Sequence, residues 1–137
     1  MASEVFIDTS AYYALLDRND QWHDAAKAAI VRIEKEGLRA VTTDDVLDET
    51  VTLLQSRGLS YVASPWLDGF FEDASSDVVW MNSNRFDEVR RLFAKHHDKE
   101  WSFTDCFSFC VMRERKIRQA FSTDLHFQQA GFERLLS

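Results

Sequence analysis

Four short apolar runs, residues 5–7, "LRAVTT", "DVVWM" and "QAFSTD", alternate along this chain with stretches of helical periodicity. Strands that alternate with helices imply right-handed crossovers and a short parallel sheet covered on both faces, an α/β fold. In open sheets of this class, sites form beyond the carboxyl ends of the strands. Asp8 directly follows "VFI" and Asp124 directly follows "AFST", so both carboxylates fall where a site would lie.

The helical stretches carry their own punctuation. "SAYYALLDR" follows the first strand, and "NDQWHDAAKAAIVRIEKEG" is opened by Asn19 and Asp20 and stopped at Gly37. "DDVLDETVTLLQSRG" has Thr43 or Asp44 as its cap and Gly58 as its stop. "SYVASPWLDGFFEDA" is expected to be helical after Pro65, which suits a first turn. "NRFDEVRRLFAKHHD" is amphipathic; "SFTDCFSFCVMRERK" is apolar nearly all round in its first two turns, so that end should be buried. "HFQQAGFERL" closes the chain as a short element. With 137 residues, four glycines, one proline and no repeat or low-complexity linker, residues 1–137 read as one domain.

No apolar run approaches the roughly 20 residues of a membrane span, and no basic region precedes an apolar stretch at the N-terminus. The expectation is a soluble, cytoplasmic protein without membrane contact. Cys106 and Cys110, four apart in a helical pattern, read as small core residues rather than a disulfide or metal pair. A net charge of -7 speaks against a protein that coats nucleic acid nonspecifically. It does not speak against a site made of carboxylates, which adds negative charge and recruits divalent cations.

Four acids are candidates for such a site, and each has a structural alternative. Asp8 and Asp124 are equally readable as helix caps or turn acids. Asp105 lies in the first turn of its helix, three residues after Ser102, a capping-box spacing. Its neighbours Phe103, Cys106, Phe107 and Phe109 nevertheless suggest a buried helix end, where a carboxylate needs a partner or a metal. Glu49 lies about 40° off one edge of the apolar arc formed by Val46, Leu47, Thr50, Val51, Leu53 and Leu54. Asp48 lies about 60° off the opposite edge and Asp45 about 80° beyond Glu49's, so the geometry favours Glu49 only modestly. Carboxylates collected at one sheet end repel and raise one another's pKa values. Mg²⁺ or Mn²⁺ offsets that repulsion and suits phosphoryl chemistry.

The order strand-Asp8-Thr9-Ser10, a helical acid in "DDVLDETVTLLQSRG", "SFTDC" and "STDLHF" resembles the PIN-domain family, in particular single-domain ribonucleases of the VapC toxin type. The stretch "NDQWHDAAKAAI" resembles that family's second helix, and the resemblance covers essentially the whole chain. It implies a three-layer α/β/α fold and a Mg²⁺- or Mn²⁺-dependent endoribonuclease, the toxin of a toxin-antitoxin pair. It implies Asp8, Glu49, Asp105 and Asp124 as catalytic and metal-binding acids. It also implies that Ser10, or else Thr9, positions metal water or phosphate. The implied partners are RNA, a cognate antitoxin and a second copy of the chain.

Other residues have weaker signals. Arg113, with Arg115, Lys116 and Arg118, forms the densest basic cluster; it reads as a solvated face or as a contact for RNA phosphates. The pair His96-His97 reads as a solvated helix end, and His23 and His126 as surface or packing residues. Tyr61, Trp66, Phe70 and Phe71 read as core, or, if exposed, as a homodimer or antitoxin patch. A phosphohydrolase or receiver using Asp8 as phosphate acceptor fits poorly: Ser10 stands where the first wants an acid, and the second wants a paired acid before Asp8. The remaining alternative is a catalytically silent PIN-fold module that binds RNA or protein.

Overall fold

The computed structural model describes residues 3–137. Five strands, β1 (Glu4–Ile7), β2 (Arg39–Thr43), β3 (Ser76–Val79), β4 (Gln119–Phe121) and β5 (Glu133–Arg134), form one sheet in the order β3-β2-β1-β4-β5. All pairings are parallel. The helices are α1 (Thr9–Leu16), α2 (His23–Lys35), α3 (Asp44–Ser56), α4 (Ser60–Asp73), α5 (Ser83–Lys95), α6 (Phe103–Arg115) and α7 (Leu125–Gln129).

The chain moves outward from β1 to β3, then returns across the sheet to β4 on the other side of β1. Right-handed crossovers therefore place α1 to α4 on one face and α5 to α7 on the other, a three-layer α/β/α arrangement. The reversal of direction lies between β1 and β4, the kind of crevice where open parallel sheets hold their ligands. Phe6 pairs with Ala120 and Ile7 with Phe121, which brings the residues after these two strands side by side.

Burial follows the apolar pattern. Val5 and Phe6 in β1, Val41 in β2 and Phe121 in β4 are fully buried, as expected of a sheet covered on both faces. In α6 every residue from Asp105 to Met112 is buried, and the charges begin only at Arg113. The rings of Phe109 and Phe127 meet edge to face at 5.0 Å, fastening α7 to α6. Cys106 and Cys110 are free thiols within this core. At the opposite end of the sheet from the strand-end acids, Arg115 reaches Glu4 at 2.6 Å and Asp77 at 2.9 Å, joining the end of α6 to the starts of β1 and β3.

Several elements differ from expectation. Helix α4 begins at Ser60, so Pro65 lies inside it rather than in its first turn. The carbonyl left without a donor is that of Tyr61, whose side chain is 76% exposed, so water can take the missing bond. The segment of Asn19 and Asp20 forms turns, and α2 begins only at His23; Asp20 caps the turn by accepting from the Trp22 N–H at 3.0 Å. The closing stretch holds both α7 and a fifth strand, β5, which is two residues long and therefore has no periodicity to read. The aromatic group divides: Trp66 and Phe70 pack on Tyr12, whereas Tyr61 and Phe71 are exposed.

Candidate metal centre

Asp8 sits one residue past β1, in extended backbone that opens α1, and it makes no side-chain cap bond to that helix. Its side chain is turned inward instead, 4% exposed, and held by two serines. The hydroxyls of Ser122 and Ser10 both donate to Asp8 Oδ2, at 2.9 and 3.1 Å. Each serine oxygen in turn accepts a backbone N–H from the loop after β4: Asp124 N to Ser122 Oγ at 2.9 Å and Thr123 N to Ser10 Oγ at 3.0 Å. The β4 loop thus aims both hydroxyls, and the hydroxyls aim the carboxylate.

Asp105 is brought to the same end by the first turn of α6. The capping box forms as its spacing suggests: Ser102 Oγ accepts from Asp105 N at 3.0 Å, and Asp105 Oδ2 accepts from Ser102 N at 3.1 Å. Asp124 caps α7, its Oδ1 accepting from His126 N at 2.9 Å. For Asp105 and Asp124 the two readings, cap and site residue, are therefore not exclusive. One carboxylate oxygen serves the helix end, and the other remains for the crevice.

The ring of His126 joins these two acids. Its Nδ1 lies 2.9 Å from Asp105 Oδ2 and 3.4 Å from Asp124 Oδ1, so the three side chains form one cluster. His126 is thus more than the surface or packing residue expected from sequence. The signal available was its spacing: position 126 is two past Asp124, on the turn that the acid caps. Ser122 was missed altogether, because a buried serine at a strand end has no local signature.

Glu49 stands on α3, and partial loss of hydration, reinforced by the charges of Asp105 and Asp124, raises its carboxyl. Asp48 faces elsewhere, lining a groove with Leu47, Val51, Leu67, Phe71 and Trp80. Of the two acids, Glu49 is the one whose carboxyl is raised by Asp105 and Asp124. Thr9 is buried, and its hydroxyl donates to the Val46 carbonyl at 3.3 Å, so it locks α1 to α3 rather than facing a substrate. Arg113 is eight residues along α6 from Asp105, about 12 Å up the helix axis at the α-helical rise. It lines a different groove, with Glu88, Arg91, Lys95 and Cys110, and is not brought to the acids.

The electrostatics follow from this collection of like charges. Burial, the largest cause, together with Asp105 and Asp124, pushes Asp8 up to about 7, against the lowering effect of the Ser122 hydroxyl. Asp105 is raised for the same first reason, opposed by His126. Acidic oxygens gathered in a partly desolvated crevice favour a compensating cation, and the donor set, mostly carboxylate oxygen, fits a hard divalent ion.

A PIN domain family model matches residues 5–133. The 23S rRNA-specific endonuclease VapC20 of Mycobacterium tuberculosis is 30% identical over 128 residues, 93% of this chain and 95% of that protein. A VapC ribonuclease of Archaeoglobus fulgidus is 29% identical over 114 residues, 82% of this chain and 72% of the other. The crystal structure of the M. tuberculosis VapC20, a sarcin-ricin loop cleaving toxin, superposes with a TM-score of 0.82 at 29% identity, covering 94% of this chain and 96% of that one.

Proposed function

The chain belongs to the PIN-domain family, and on that premise we propose that it is a divalent-cation-dependent endoribonuclease, the toxin of a toxin-antitoxin pair. The observation that carries this reading is the cluster of Asp105 and Asp124 with His126, whose two acids also raise the carboxyls of the buried Asp8 after β1 and of Glu49 on α3. Asp8, Asp105 and Asp124 hold Mg²⁺ or Mn²⁺, with Glu49 acting directly or through water. When bound, such an ion lowers the pKa of a coordinated water and stabilises the leaving oxyanion of a phosphodiester.

The chain's own groups do the rest. Ser10 and Ser122 orient Asp8, and Ser10, only half-buried, is the hydroxyl placed to meet a phosphate oxygen. Thr9 keeps the α1 and α3 acids in register. The scissile RNA lies across the open carboxyl end of the sheet. Its likeness to the 23S rRNA-specific relative makes ribosomal RNA the first substrate to test. A cognate antitoxin and a second copy of the chain are the protein partners. No helix among the described residues is long and apolar enough to cross a membrane.

The test is cleavage of total cellular RNA by the purified protein with Mg²⁺, with Mn²⁺ and with chelator, followed by mapping of the new ends. Metal-dependent cuts that vanish in Asp8→Asn support the proposal. Folded wild-type protein that cuts no RNA would leave a silent binding module as the better description.

A further inference from the structure

We propose that His126 is a positioning residue of the cation site: it clamps Asp105 and Asp124 in one arrangement. The inference rests on reading those acids as cation ligands. His126 makes two different contacts from one position. Its backbone N–H donates to Asp124 Oδ1 at 2.9 Å, and its ring Nδ1 lies 2.9 Å from Asp105 Oδ2. The acids themselves come from separate elements, the first turn of α6 and the cap of α7, and are 19 positions apart.

The ring nitrogen faces carboxylate oxygens on both sides, at 2.9 and 3.4 Å. Both are acceptors, so a lone pair at Nδ1 would repel both, and the attractive arrangement puts the hydrogen there. Nδ1 is thereby committed to the two carboxylates. Asp105 Oδ2 already accepts from the Ser102 N–H at 3.1 Å, so the His126 ring completes its two lone pairs. That leaves Oδ1 as the oxygen of Asp105 free for a cation. Orientation of a ligating carboxylate by outer hydrogen bonds of this kind restricts it to one productive rotamer before the ion arrives.

Mn²⁺ is the probe, with binding measured by titration calorimetry in the absence of RNA. His126→Ala should weaken Mn²⁺ binding by about 10- to 100-fold, the usual cost of losing an outer-shell partner. His126→Asn keeps an N–H donor near the place of Nδ1 and should recover most of the affinity. Should His126→Ala fail to fold, His126→Leu supplies the donor-free comparison with His126→Asn. Unchanged affinity in the donor-free variant, or failure of His126→Asn to recover, would overturn the inference while leaving the cation site standing. Absence of any Mn²⁺ binding by folded wild-type protein would overturn both.

Discussion

Asp8→Asn tests the electrostatics of the acid cluster apart from catalysis. In the metal-free protein Asp8 stands at about 7 instead of the ordinary 3.8, chiefly because it is buried. At about 1.4 kcal/mol for each pH unit between the folded and unfolded values, ionising Asp8 in the fold costs about 4 kcal/mol. Because the folded value is the higher one, this cost is absent below pH 3.8, grows between the two values and is complete above pH 7. The amide in Asp8→Asn still offers an oxygen to the Ser10 and Ser122 hydroxyls, so the substitution removes the charge while keeping those bonds. Chemical unfolding in chelator, followed by circular dichroism from pH 4 to pH 9, should show the variant gaining on the wild type as pH rises. By pH 8 its advantage should approach 4 kcal/mol, a rise in Tm of roughly 12 °C for a chain of this size. Saturating Mg²⁺ or Mn²⁺ should narrow that gap, since an ion at about 100 times its Kd adds about 2.7 kcal/mol to the form that binds it. A difference independent of pH, or a variant less stable than wild type at pH 8 in chelator, would refute the argument that Asp8 is a desolvated, mutually repelled carboxylate.

Three further outcomes follow from the same geometry. Glu49→Gln should reduce RNA cleavage by about tenfold or more, while Asp48→Asn, on the groove side of α3, should leave initial rates unchanged. Ser122→Ala removes a hydrogen bond that lowers Asp8, so the ionisation of Asp8 in the metal-free protein, followed by carboxyl NMR titration in chelator, should move to higher pH by about one unit. Arg115→Met cuts the ties to Glu4 and Asp77 at the far end of the sheet. It should cost about 1 kcal/mol in urea unfolding, less at high salt, with cleavage by the folded fraction unaffected.

Much of the architecture is legible in the sequence because it is set locally. The alternation of apolar runs with helical periods is enough for a parallel sheet with helices on both faces. Thr43 caps α3 by accepting from Val46 N at 3.1 Å, and Gly37 and Gly58 take the positive φ values that end α2 and α3, each as the residue type suggests. The capping-box spacing from Ser102 to Asp105 likewise forms as read. Where local signals were weak, they misled: α4 starts five residues before Pro65 because a solvent-facing helix tolerates the lost bond, and β5 is too short to carry a pattern.

The sequence by itself determined which residue types stand at strand ends and helix starts, since propensity, capping and periodicity act over a few residues. Only the tertiary structure decided which of them meet. The pairing of β1 with β4 joins segments more than a hundred positions apart, and it alone brings Ser122 onto Asp8. The packing of α7 on α6 carries His126 to Asp105 while leaving Arg113 at the other end of the helix. Glu49 and Asp48 are adjacent in sequence and point to different surfaces. Which surface is the crevice depends on the strand order, because a residue's own helix periodicity cannot say what lies across from it.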